Sequence, residues 1–213
     1  VRKRRTLLLS PTASGKSLII FLLSALFVKK KVLIVVPTLG LVHQMASDFV
    51  SYGCPDNLIH KIYAGQDKDT DANIVVTTWQ SVYELPKKWF DQFGVVIGDE
   101  CHLFKAVSLS KIMTKLEDCK YRIGLTGTLD GTKTNKLVLE GLFGAVNKVT
   151  STAELQEKKQ LADLKIICLI LQHDKNSKHF LKDKSYQEEM DFLVSNEKRN
   201  KYIRNLCLSL QGN

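Results

Sequence analysis

Four residues of this chain have the types and neighbours that suggest chemistry: Lys16, Ser17, Asp99 and Glu100. The first two close the stretch Ser10-Pro11-Thr12-Ala13-Ser14-Gly15-Lys16-Ser17, which follows the phosphate-loop spacing G-x-x-x-x-G-K-[ST] with Ser10 in place of the first glycine. In such a loop Gly15 lets the main chain approach a phosphate. The N–H groups of Thr12, Ala13, Ser14 and Gly15, with the positive end of the following helix, then hold the anion. Lys16 is placed to reach β and γ phosphates, and Ser17 offers a hydroxyl to Mg²⁺, a hard cation that takes oxygen ligands. The other pair, Asp99-Glu100, closes the apolar run Val95-Val96-Ile97-Gly98. Two acids delivered at the end of a buried strand suit a carboxylate for the Mg²⁺ and another that orients the attacking water. The plainer reading of residues 10–17, a Gly-Lys turn between buried elements, leaves those acids unexplained.

These residues need elements to position them. Thr6-Leu7-Leu8-Leu9 before the loop has strand length, and Leu18 to Val28 after it has helix length. Further strands are expected at 32–36, 58–63, 74–78, 95–98, 121–125 and 145–149. Leu39 to Tyr52 reads as an amphipathic helix stopped by Gly53, Trp79 to Leu85 as a short helix ended by Pro86, Lys87 to Phe93 as another turn or two, and Ala106 to Leu116 as a helix. Strands apolar on both faces that alternate with helices predict an α/β fold, a mostly parallel sheet with helices on both faces. Right-handed crossovers then bring the loops after the strands, 10–17, 37–38, 77–80, 99–102 and 126–128, to one edge.

After residue 150 the character changes. A polar helix is expected over 152–159, a strand over 166–171, a polar loop over 172–178 and a helix over 186–211 with residues 197–201 on its exposed side. We therefore expect one domain over 1–150 and, over 151–213, a connecting segment with a helical C-terminal extension. The chain has 213 residues, 44% of them apolar, which is enough for a substantial core. Its longest apolar stretch falls short of the roughly 20 residues that span a bilayer, and a soluble protein is expected. Five dispersed cysteines with no C-x-x-C pair fit a reducing, cytoplasmic setting. The formal net charge of +9 favours a polyanionic partner, although lysines at helix ends account for part of the excess. With no initiator Met, the sequence reads as an excerpt from a longer protein.

In kind and in order these segments resemble the first RecA-like motor domain of superfamily-two helicases and translocases. Pro11 to Ser17 resembles motif I, with Ala13 as the departure. Val35-Val36-Pro37-Thr38 resembles motif Ia together with the helix bearing Gln44, and Val76 to Ser81 resembles motif Ib. Asp99-Glu100-Cys101-His102 is a D-E-x-H box, and Gly124 to Thr128 stands where motif III belongs. The T-W-Q and D-E-C-H wording and the tail around 186–203 are most similar to phage recombination and repair DNA helicases.

The resemblance implies ATP and Mg²⁺ as cofactors. It gives Lys16 the phosphates, Ser17 and Asp99 the metal, Glu100 the water, and His102, Thr126 and Thr128 a role coupling nucleotide state to grip on nucleic acid. Pro37, Thr38, Thr77, Thr78 and Trp79 would meet a nucleic-acid strand, Trp79 by stacking unless it is a core residue. DNA is the expected partner, with RNA as the alternative. A nucleotide-gated binding module without useful turnover is the reading from another class. The resemblance also implies that 151–213 is the crossing segment and incomplete start of a second RecA-like domain, and that an adenine pocket and the arginine-bearing remainder of that domain complete the site, so residues 1–213 alone should be nearly inactive.

Overall fold

Alternate residues of a strand face opposite sides of a sheet, and in the central strands here both sides are apolar. The strands are β1 (Arg5–Leu9), β2 (Lys31–Val36), β3 (Ile59–Ile62), β4 (Ile74–Thr78), β5 (Phe93–Gly98), β6 (Tyr121–Thr126) and β7 (Val146–Lys148). On one face Leu7, Leu33, Val35, Val75 and Val96 pack against Val82, Phe90, Leu109, Ile112, Met113, Leu139 and Phe143. On the other, Val32, Ile34, Val76, Ile97, Ile123 and Leu125 pack against Ile20, Val42, Met45, Ala46 and Phe49. The first face is covered by α3 (Trp79–Val82), α4 (Lys87–Phe90), α5 (Ala106–Lys115) and α6 (Lys133–Phe143), the second by α1 (Lys16–Leu26) and α2 (Leu39–Ser51). Each large apolar side chain buried this way contributes roughly 1.5–3 kcal/mol.

The computed structural model describes residues 4–104, 106–129, 133–159, 167–172, 177 and 181–210. Among them, seven strands form one sheet in the order β3-β4-β2-β5-β6-β1-β7. Every ladder is parallel. The architecture is RecA-like, and β6 lies between the strand of the phosphate loop and the strand of the acids. Gly98 and Gly124, paired across β5 and β6, make this arrangement possible. A Cβ on Gly124 would come within 2.8 Å of Leu7 Cδ1 and 2.9 Å of Phe143 Cγ, and one on Gly98 within 2.9 Å of Phe143 Cζ. The two glycines leave the groove in which the Phe143 ring lies.

The chain divides into two compact units, Val1–Asp163 and Leu164–Asn213. The first includes α7 (Thr152–Glu157), which begins in a Ser151/Glu154 capping box and buries Leu155. In the second, two expectations are corrected. Residues 167–172 form no strand: Ile167, Leu169, Ile170 and Leu171 are exposed and have no ladder partner among the described residues, and a strand needs one. Ile166 lies outside the described residues, as does most of the expected 172–178 loop. The single helix expected over 186–211 is two, Tyr186–Ser195 and Glu197–Ser209. Asn196 breaks it, because its side-chain oxygen accepts the Arg199 N–H at 2.9 Å and caps the second helix. Of the 197–201 run, Arg199 is half-buried, its guanidinium donating to the Leu193 carbonyl at 3.2 Å.

Candidate nucleotide site

β1 delivers the chain into the loop, where Ala13 (φ 63°) and Gly15 (φ 80°) adopt left-handed conformations and α1 begins at Lys16. Gly15 tolerates this at no steric cost, and nothing lies within 4 Å of where its Cβ would be. The departure at Ser10 has a local explanation. Its side chain is fully buried, and Ser14 Oγ lies 2.6 Å from both Ser10 Oγ and the Pro11 carbonyl. The carbonyl can only accept, so Ser14 donates to it and Ser10 donates to Ser14. This chain of hydroxyls braces the loop. Beside it opens a cavity of about 520 Å³ lined by Thr12, Ala13, Gly15, Lys16, Ser17, Leu41, Gln44, Met45, Asp48, Asp99 and Glu100.

Both acids reach that cavity through the end of β5. Asp99 is buried, and Asp99 Oδ1 accepts the Glu100 N–H at 3.0 Å. Burial, and next the charge of Glu100, push the Asp99 carboxyl up to about 6, against the pull of the Glu100 N–H and of Lys16. Glu100 is left-handed (φ 45°), which turns its side chain back toward the loop. There Glu100 Oε1 meets Lys16 Nζ at 3.0 Å and Oε2 accepts the Gly127 N–H at 3.4 Å. Lys16 also donates to the Ser10 and Pro11 carbonyls.

A second line of contacts leaves Glu100 on its other side. His102 Nδ1 lies 3.5 Å from Glu100 Oε2 and 2.6 Å from Thr126 Oγ1. Thr126 Oγ1 in turn donates to the Thr128 carbonyl at 2.6 Å. Thr126 has one proton and gives it to that carbonyl, so the Nδ1 nitrogen of His102 carries the proton in the bond between them. Lys16, Ser17, Asp99, Glu100, His102, Thr126 and Thr128 are thus brought together at one edge. The residues present fit a Mg-nucleotide: the cavity combines a helix N-terminus, an ammonium, a hydroxyl and a carboxylate.

The residues expected to meet nucleic acid lie on the same edge but differ in access. Thr38 is exposed, its hydroxyl oxygen accepting the Leu41 N–H at the start of α2, while Pro37 behind it is buried. Thr78 is also buried, at 7% exposure, and its hydroxyl lies 2.9 Å from Ser81 Oγ. Thr77 is corrected: it has no exposed surface and its hydroxyl donates to the Thr78 carbonyl, leaving nothing for a phosphate to touch. Trp79 is half-buried, packed against the core and edge-on to Tyr83 at 5.8 Å. The sequence reading missed Leu41, Met45 and Asp48 as cavity residues and Tyr52 as a neighbour of Ser17. The signal was the spacing 44, 48, 52, which places Gln44, Asp48 and Tyr52 on one helical stripe beside the buried stripe of α2.

Residues 1–131 match the family described as type III restriction enzyme, res subunit. The ATP-dependent DNA helicase uvsW of Enterobacteria phage T4 is 41% identical over 97% of this chain, which is 43% of that protein. The DNA 3'-5' translocase XPB2 of Sulfurisphaera tokodaii is 30% identical over 60% of this chain and 28% of its own length. The chain therefore spans less than half the length of these relatives. Its fold matches the crystal structure of T4 UvsW with a TM-score of 0.63 and 40% identity, over 97% of this chain and 42% of that one.

Proposed function

The chain belongs to the superfamily-two helicases, in the family described as type III restriction enzyme, res subunit, and from that membership we propose that it is the nucleotide-binding half of an ATP-dependent DNA helicase or translocase motor. Residues 1–150 are the motor domain and 151–213 the connection to, and opening of, a second one. One observation carries the reading: Lys16 and Glu100 meet at 3.0 Å in the cavity that Ser17 and Asp99 also line.

In the working site a triphosphate lies on the N-terminus of α1 with Lys16 against its β and γ oxygens. Ser17 and Asp99 would hold Mg²⁺, which neutralises charge on the phosphates when bound. Lys16 then leaves Glu100, and the freed carboxylate orients water toward the γ phosphorus. His102, with Thr126 and Thr128, links Glu100 to the end of β6 and carries nucleotide state toward the nucleic-acid edge. Thr38, Thr78 and Trp79 supply backbone and stacking contacts there, which grip a strand without reading its sequence. The names of the relatives support DNA as the polymer, and the resemblance to recombination and repair helicases supports remodelling of DNA as the task.

Phosphate release, measured with single-stranded or branched DNA, with RNA and with neither, tests this. A longer natural chain that carries a second motor domain is expected to show DNA-stimulated turnover. Residues 1–213 should hydrolyse Mg-ATP hardly at all, because a cationic finger supplied from elsewhere is worth on the order of 10³–10⁵ in rate in related nucleotidases. Stimulation by RNA alone would reassign the polymer, and nucleotide binding with no stimulated turnover in the longer chain would make this a gated binding module.

A further inference from the structure

Ser17 poses a question that its place in the loop does not answer. A hydroxyl has one proton and two lone pairs, so an oxygen that gives a lone pair to a cation must send its proton away from it. The Ser17 hydroxyl lies 2.9 Å from the phenol oxygen of Tyr52. Ser17 lines the cavity and Tyr52 does not, so the bond points out of the cavity and leaves the rest of the Ser17 oxygen facing in. The phenol is well anchored. The Tyr52 N–H bonds the Asp48 and Phe49 carbonyls at the end of α2, and its ring packs on Phe21 of α1 at 5.6 Å.

Resting on the Mg-nucleotide reading above, we propose that Tyr52 is a positioning residue for the metal-bearing side of the site: its phenol oxygen accepts the Ser17 proton and turns a Ser17 lone pair into the cavity. Tyr52 thereby ties the C-terminal end of α2 to the first turn of α1, a link that motif I does not contain.

The test is a double-mutant cycle on Tyr52→Phe and Ser17→Ala, read as the affinity of the 213-residue chain for a fluorescent ATP analogue in Mg²⁺ and in EDTA. Phenylalanine keeps the packing on Phe21, and Tyr52 is 38% exposed, so melting temperature should not move. Tyr52→Phe is expected to weaken binding roughly three- to ten-fold in Mg²⁺, the worth of one hydrogen bond, to leave binding in EDTA unchanged, and to have no effect when Ser17 is already alanine. Equal loss in EDTA, a loss that persists in Ser17→Ala, or tighter binding in Mg²⁺ would overturn the proposal while leaving the nucleotide reading intact. A wild-type chain that binds the analogue in neither buffer would overturn the nucleotide reading itself.

Discussion

Glu100 carries two constraints at once, a left-handed backbone and an ion pair with Lys16. Holding a non-glycine residue at positive φ costs on the order of 1–3 kcal/mol, and here it aims the carboxylate at the loop. In the proposed site nucleotide would take Lys16 from Glu100, so the two residues should separate by experiment. Lys16→Ala is expected to weaken nucleotide binding, whereas Glu100→Gln keeps binding at least at its original strength and lowers turnover about 10²–10⁴-fold in a chain that carries both proposed motor domains. Equal loss of affinity in both variants would contradict that division. Asp99 makes a stability prediction. Its carboxyl titrates higher in the fold than in the unfolded chain, so the stability it contributes is full below about pH 4 and is lost as pH rises through about 6. In metal-free protein Asp99→Asn should therefore raise stability above pH 6 by on the order of 2–3 kcal/mol, with the gain vanishing toward pH 4. Urea midpoints across that range would measure it, and a gain independent of pH would refute the cause given.

At the scale of elements, the site depends on β6 lying between β1 and β5, and that in turn on the two adjacent glycines. Gly124→Ala would press a methyl group against Leu7 and Phe143, and is expected to cost about 1–3 kcal/mol. Gly40 provides the contrast. It lies within α2 with nothing within 4 Å of its missing Cβ, so Gly40→Ala should be neutral or stabilise by up to about 1 kcal/mol. Chemical denaturation of both variants checks the pair, and similar effects in both would mean that helix and strand propensity, rather than the Phe143 groove, sets the outcome. The same groove bears on function. Phe143 of α6 packs against Gly98 and Gly124 on the strands that lead to Asp99 and Thr126, so a shifted ring would move both sides of the proposed site.

At the scale of the whole molecule, the sheet and both of its apolar cores lie within the first unit, Val1–Asp163. Residues 1–163 are expected to unfold in a single cooperative transition close to that of residues 1–213, followed by circular dichroism. Loss of cooperativity on removing 164–213 would mean that the tail completes the core. What the sequence determined by itself follows from local rules: the phosphate-loop spacing, strands apolar on both faces and hence a parallel sheet, and acids at the end of one strand. Helices were legible over 18–28, 39–52 and 106–116, but Lys133–Phe143 was not anticipated, and at Asn196 a capping side chain outweighed continuing periodicity. The tertiary structure decided the contacts between segments far apart in the chain. Ser17 and Tyr52 are 35 positions apart, and His102 and Thr126 are 24. Their meeting depends on strand order and on which face each helix covers, and neither quantity is encoded in hydrophobic period or motif spacing. Thr77 shows the same limit from the other side: its residue type suited a phosphate, but β4 is buried along its whole length, on both faces of the sheet. Side-chain period along a strand is local, whereas whether a strand lies buried in mid-sheet with both faces covered is set by strand order and by the helices that pack across it.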